Sequence, residues 1–148
     1  MQEKITTAIY IRVSTEDQAK DGFSVNAQRE KLTKYAEAND WNIYDYYVDD
    51  GISGKNLVDR PEVQRMLEDV KHKRVNNILI YKLDRLTRSV RDLIDLIELF
   101  ELNECTFNSQ TEKIDTSNAV GRMFVKIIGI FAEFGRENLA KELLMLLN

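Results

Sequence analysis

The feature that most constrains this chain is an apolar run near its start that ends in an arginine and a serine. Residues 5–13 are mostly apolar, and Arg12 and Ser14 lie where that run stops. A second apolar run, residues 78–81, leads into the basic segment 82–88. Parallel strands of an α/β fold end at one common sheet edge, where binding sites form. A hydroxyl and several arginines at that edge favour chemistry at a phosphate group.

Apolar strand-like runs alternate with helix-like segments along the chain. The predicted strands are residues 5–13, 41–48, 78–81 and 105–109, and residues 112–114 could add a short edge strand. The predicted helices begin at Ser24, Asp59 and Ser89, whose side chains can each accept an orphan backbone N–H. This order predicts an α/β fold: a mixed, mostly parallel four- to five-stranded sheet with helices on both faces.

The last segment, residues 117–148, contains no proline and carries a broad apolar face. That face comprises Val120, Met123, Phe124, Ile127, Ile128, Phe131 and Phe134. Read as one helix to Leu147, the segment would be about 46 Å long at 1.5 Å per residue. Such length and such a wide apolar stripe favour burial against another copy of the chain. We therefore predict two units, an α/β domain at 1–116 and a long oligomerisation helix at 117–148.

Composition excludes several classes of protein. A length of 148 residues is typical of one domain, and the single cysteine, Cys105, leaves no intrachain disulfide or thiolate metal cluster. There is no apolar run long enough to span a membrane and no secretory leader, so a cytoplasmic location is expected. No Walker-type or dinucleotide-binding glycine pattern occurs, so no nucleotide is expected.

Charge is distributed unevenly along the chain. The formal net charge is −4, which is unlike a typical nucleic-acid binder. Residues 75–91, however, hold four basic residues against one acid. The basic segment therefore stands out locally against an acidic background.

Taken together, these motifs resemble the catalytic domain of serine site-specific recombinases, the resolvase and invertase superfamily. The likeness rests on the residues 10–18, the Gly-Phe-Ser element at 22–24, Gln28 and the segment 82–88, and it covers nearly the whole chain. The Gly-Phe-Ser element and the long spacing from Ser14 to Gln28 are similar to the large serine recombinases, which are phage integrases and element transposases.

The resemblance implies a DNA-cleaving site in which Ser14 matches the nucleophile. The other matching positions are Arg12, Arg85, Arg88, Asp84, Gln28, Arg136 and Arg60, with Tyr10 as a neighbouring aromatic residue. It implies cleavage of double-stranded DNA attachment sites through 5′-phosphoserine links, then strand exchange and religation without metal, cofactor or ATP. It also implies a homodimer that becomes a homotetramer through the C-terminal helix, with no membrane partner.

Two departures from the family pattern support an alternative hypothesis. Gly135 stands where relatives carry an acid, directly before Arg136, and the chain stops at Asn148 before any DNA-binding region. The alternative is a truncated, catalytically incompetent oligomerisation module of such a recombinase. A phospho-receiver domain, suggested superficially by Asp49-Asp50 and Lys82, would need its acid pair after the first strand instead.

Structural roles remain open for three of the matched residues. Arg60 could be a capping or surface residue, and Gln28 could be a satisfied core amide. Asp84 could be the partner of a neighbouring arginine. The identity of the general acid is also open, because no Ser–His pair is visible in the sequence.

Overall fold

The computed structural model describes residues 4–14, 24–51, 57, 59–133 and 137–146. Its strands are β1 (Thr6–Val13), β2 (Asn42–Asp50), β3 (Asn77–Ile80), β4 (Thr106–Ser109) and β5 (Ile114–Asp115). They form one sheet in the order β2-β1-β3-β4-β5, in which the first four are parallel and β5 runs antiparallel to β4. The predicted mixed, mostly parallel sheet is confirmed, and its edge strand begins at Ile114.

Six helices are described around this sheet. They are α1 (Val25–Ala38), α2 (Pro61–Lys71), α3 (Leu83–Leu86), α4 (Val90–Leu102), α5 (Ala119–Glu133) and α6 (Glu137–Met145). No helix in the described ranges is long and apolar enough to cross a membrane.

Two of the three predicted helix caps are confirmed. The Ser24 hydroxyl accepts from the Ala27 N–H at 3.1 Å, and the Ser89 hydroxyl accepts from the Asp92 N–H at 3.2 Å. In each case the cap satisfies one of the backbone donors that a helix start leaves without a partner.

The cap predicted for α2 is wrong. Its N-cap residue is Arg60, in extended conformation, and the Arg60 side chain makes no capping bond. The Glu62 N–H donates instead to Oδ1 of Asp49, on β2, at 3.2 Å. A carboxylate from a neighbouring strand therefore accepts from the first turn of α2.

Apolar side chains cover both faces of the sheet, because successive strand residues point to opposite sides. On one face Ile9, Ile11, Val13 and Leu79 pack with Leu32 and Ala36 of α1. On the other face Ala8, Tyr10, Ile78 and Ile80 pack with α2 and α4 through Val63, Met66, Leu93 and Phe100. The expectation of helices on both faces is confirmed.

The C-terminal segment is described as two helices, α5 up to Glu133 and α6 from Glu137, and residues 134–136 lie outside the described residues. Leu144 of α6 belongs to the same apolar cluster as Val90 of α4 and Ile128 of α5. In one straight helix, positions 128 and 144 would be about 24 Å apart. We conclude that α6 turns back onto α4, and that apolar periodicity alone could not show this reversal.

Two glycines of α5 provide a matched test of the packing. A Cβ on Gly121 would overlap the backbone carbonyl of Asp115, whereas one on Gly129 would meet the Ile94 side chain at an ordinary 3.5 Å. We expect Gly121→Ala to lower the free energy of unfolding by about 1–3 kcal/mol. Gly129→Ala should raise it by up to about 1 kcal/mol, since alanine is the better helix former. Urea unfolding measures both, and equal effects would contradict the described packing.

Candidate active site

The site is organised around α3, the four-residue helix that follows β3 at the carboxyl edge of the sheet. Of the basic segment 82–88, residues 83–86 form this helix, so Arg85 lies within it and Arg88 follows it. The last carbonyl groups of any helix lack partners within it. In α3 these groups accept hydrogen bonds from buried arginines.

Arg12, near the end of β1, is fully buried against α3. Its Nε donates to the carbonyl oxygen of Arg85 at 3.0 Å, and its Nη2 donates to that of Asp84 at 2.7 Å. Burial is the main cause that lowers the pKa of Arg12, and the positive charges of Arg60 and Arg85 lower it further. The side chain therefore sits in a buried region of excess positive charge.

Arg60 reaches the same carbonyl groups from the start of α2. Its Nη1 donates to the Arg85 carbonyl oxygen at 3.1 Å, and its Nη2 donates to the carbonyl oxygen of Leu86. Arg60 is fully buried, so the hypothesis that it is a surface residue is wrong. One carbonyl, that of Arg85, thus accepts from two guanidinium groups.

Tyr10 connects Arg60 to a carboxylate. The Tyr10 hydroxyl accepts from Arg60 Nη1 at 3.1 Å and donates to Oδ2 of Asp49 at 2.8 Å. Burial is the largest influence on the pKa of Tyr10 and raises it far above the ordinary value, with Asp49 adding to the rise and Arg60 opposing it. The neutral Tyr10 hydroxyl therefore links the Asp49 carboxylate to the Arg60 guanidinium group.

Asp49 is a residue of this cluster that sequence reasoning missed. It is buried, and in the sheet register it lies beside Arg12. The available signal was its place at the end of the second predicted strand, but there it was considered only as part of a phospho-receiver pattern. Its two oxygens join Tyr10 on β1 to the first turn of α2.

The remaining residues of the basic segment differ in exposure. Arg85 is buried, while the side chains of Asp84 and Arg88 are exposed. Asp84 Oδ1 lies 3.6 Å from Arg85 Nε, which supports the hypothesis that Asp84 pairs with a neighbouring arginine. Arg88 is thus the arginine of this segment most open to a ligand.

Ser14 and Gln28 lie at the other side of the same edge. Ser14 follows β1 and is partly buried. Gln28 is fully buried on α1, and its Nε2 donates to the carbonyl oxygen of Arg12 at 3.3 Å. Gln28 therefore holds the backbone two residues before Ser14.

The structure brings Tyr10, Arg12, Arg60 and Arg85 into one buried cluster, with Ser14 at the same sheet edge. Arg136, like its neighbour Gly135, lies outside the described residues. In the described part of the chain, no group of three or more His, Cys, Asp or Glu side chains could hold a metal ion. The charge and donor geometry of this edge suit an anionic phosphate ester, since guanidinium groups bind phosphate oxygens and stay charged.

Fold and site together define a resolvase-like α/β domain. The family model described as Resolvase, N terminal domain, matches residues 7–146, and the chain belongs to this family. It is 38% identical over 133 residues to the DNA-invertase hin of Salmonella typhimurium. The aligned region covers 90% of this chain and 62% of the invertase. It is 46% identical over 63 residues to an uncharacterized immunity region protein 3 of Bacillus phage phi105, covering 43% of this chain and 76% of that protein.

Solved structures agree with this assignment. The N-terminal catalytic domain of TP901-1 integrase matches with a TM-score of 0.83 and 48% identity, covering 89% of this chain and 97% of that domain. A resolvase family site-specific recombinase from Streptococcus pneumoniae matches with a TM-score of 0.76 and 30% identity, covering 94% and 93%. The predicted resemblance to serine recombinases of the integrase type is confirmed.

Tyr10 allows a pH test of the buried cluster. Since folding raises its pKa, Tyr10 contributes stability that is complete below the ordinary value of 10.0 and is lost as the pH rises above it. Above that pH the free energy of unfolding should fall more steeply in the wild type than in Tyr10→Phe, by about 1.4 kcal/mol per pH unit. Urea unfolding at several pH values measures this. Exposed Tyr44→Phe is the control, and identical slopes for wild type and Tyr10→Phe would contradict the assignment.

Proposed function

We propose that this domain carries out site-specific DNA recombination, with Ser14 as the nucleophile. The observation that carries the proposal is that Arg12 and Arg60 both bond to α3, the helix that contains Arg85. This cluster lies at the sheet edge where Ser14 follows β1. The names of the related proteins, a DNA-invertase and an integrase, support it. The substrate class is double-stranded DNA that carries a specific site.

The proposed reaction exchanges one phosphate ester for another. The Ser14 Oγ gives up its proton and bonds to the scissile phosphorus, while the bond from phosphorus to the 3′ oxygen breaks and that oxygen gains a proton. The DNA 5′ end is then held as a phosphoserine. Religation reverses these steps on a new 3′ hydroxyl, and Ser14 regains its proton. Because one ester bond forms for each that breaks, the reaction requires no ATP.

The arginines would divide the work according to their burial. Charge grows on the phosphate oxygens during attack, and preorganised donors stabilise it. Exposed Arg88 is best placed to bind the phosphate directly. Fully buried Arg12 and Arg60 would hold α3 and add to the positive potential. Arg136 stays a predicted member of the site, and Asp84 a predicted partner of Arg85.

The nucleophile can be tested by trapping the covalent intermediate. The chain is fused to a DNA-binding domain of known target and incubated with that DNA, and adducts that survive detergent are quantified. We expect wild type to form the adduct and Ser14→Ala to form none. Adduct formation by Ser14→Ala at the wild-type level would exclude Ser14. No adduct with wild type would instead favour the catalytically incompetent module.

The same assay distinguishes a site arginine from a surface arginine. We expect Arg88→Ala to slow adduct formation by about 10²–10³-fold, the usual effect of losing one donor to a developing charge. Arg74→Ala is the matched control, since Arg74 is exposed just before β3, at the edge of the sheet opposite α3. Equal losses in both variants would indicate a general charge effect and contradict a specific role for Arg88.

A second copy of the chain is the proposed partner of α5. The outward face of α5 exposes Val120, Met123, Ile127 and Ile130 at 76%, 58%, 40% and 52%. Their helical spacing makes one apolar stripe. This stripe also favours the second candidate function, an oligomerisation module, because association through the stripe does not depend on catalysis.

Sedimentation velocity over a range of concentrations tests this partner. We expect wild type to associate, and a double variant Met123→Lys with Ile127→Lys to remain monomeric, because two charges would be buried in the interface. Leu102→Lys, which changes an exposed leucine outside the stripe, should associate like wild type. A wild type that is monomeric at every concentration would contradict the proposal.

A further inference from the structure

Glu112 is a buried carboxylate that the proposed chemistry does not use. It lies in the turn between β4 and β5 and is only 7% exposed. Its Oε1 accepts a hydrogen bond from the Ser109 hydroxyl at the end of β4. Glutamate is seldom buried without specific partners, so the contacts of Glu112 show what it does.

The second partner of Glu112 is the backbone of α3. The N–H of Leu83, the first residue of that helix, lies 3.3 Å and 3.4 Å from the two carboxylate oxygens. The N-cap residue of α3, Lys82, makes no side-chain capping bond. Glu112 therefore provides, from a turn 29 residues further along the chain, the acceptor that the local sequence lacks. A negative charge at this end also suits the helix dipole.

The other end of α3 holds the arginine cluster. Its carbonyl groups accept from Arg12 and Arg60, and Arg85 is one of its own residues. A helix of four residues has little internal hydrogen bonding to resist displacement. Whatever fixes its first residue therefore also fixes the acceptors of both buried guanidinium groups.

We propose that Glu112 is a positioning residue of the active site: it anchors the start of α3 and so sets the geometry of the arginine cluster. This inference rests on the proposed function, because the geometry matters for the reaction only if the cluster acts on DNA. Glu112 also precedes β5, which leads into α5. Glu112 therefore lies on the chain between the arginine cluster at α3 and α5, the helix that carries the exposed apolar stripe.

Two readouts test the proposal, and one of them does not involve DNA. The first is proton exchange at the Arg12 Nε–H, followed by nuclear magnetic resonance, which reports whether its bond to the Arg85 carbonyl persists. We expect Glu112→Ala to speed this exchange about tenfold or more. Glu112→Gln, which keeps an acceptor oxygen, should stay within about threefold of wild type. Exposed Glu37→Gln on α1 is the matched control and should not differ from wild type.

The second readout is the adduct assay with the same fused chain, performed where urea unfolding shows each variant to be folded. Glu112→Ala should form the adduct at least about tenfold more slowly than wild type. Glu112→Gln should restore most of the wild-type rate. If Glu112→Ala does not fold, Glu112→Asp replaces it, since its shorter side chain keeps the charge but withdraws the acceptor from Leu83.

The outcomes separate this inference from the proposed function. Unchanged Arg12 exchange in Glu112→Ala would overturn the positioning role. Faster exchange with a wild-type adduct rate would overturn it too, because the cluster geometry would then not matter to the reaction. If wild type forms no adduct, the proposed function fails and the catalytic part of this inference fails with it. The exchange measurement would still decide whether Glu112 holds α3.

Discussion

The interaction on which the rest of the site depends is the bonding of two buried guanidinium groups to the carbonyl end of α3. A buried charge without partners is very unfavourable, and Arg12 and Arg60 are both fully buried. The unpaired carbonyl groups at the end of a helix carry partial negative charge, so α3 compensates both. Because Arg12 belongs to β1 and Arg60 starts α2, this bonding joins three elements at the sheet edge beside Ser14.

Asp49 and Tyr10 extend the hydrogen-bonded cluster beyond α3. Asp49 is the buried carboxylate that the cluster reaches, and it does so through the Tyr10 hydroxyl. Carbonyl dipoles of α3 accept from Arg12 and Arg60 without neutralising their charge. Burial lowers the pKa of Arg12 most, and repulsion from the charges of Arg60 and Arg85 lowers it further. A bound phosphate group would relieve that repulsion. The same features that stabilise the fold therefore favour the proposed substrate.

Sequence reasoning succeeded where the determining contacts are local. The caps at Ser24 and Ser89 bond three residues ahead, so a short pattern contains all the necessary information. It failed for the burial of Arg60, whose partners come from β1 and α3, and for the cap of α2, whose acceptor is on β2. The candidate site residues were predicted through family resemblance, whereas Asp49 and Glu112 became visible only through contacts between distant segments.

The apolar arc of the C-terminal segment shows how one sequence signal can have two physical causes. Part of its width is used within the chain, because Ile128 packs with Val90 of α4 and with Leu144 of α6. The outward stripe of α5 remains for a partner, and a stable interface buries about 800 Å² on each side, more than four partly exposed side chains offer. A second copy would therefore also cover the adjoining groove between α4 and α5, whose lining includes Arg91, Asp95, Glu98 and Lys126. Such an interface would have an apolar centre and a charged rim, the arrangement that protein interfaces usually show.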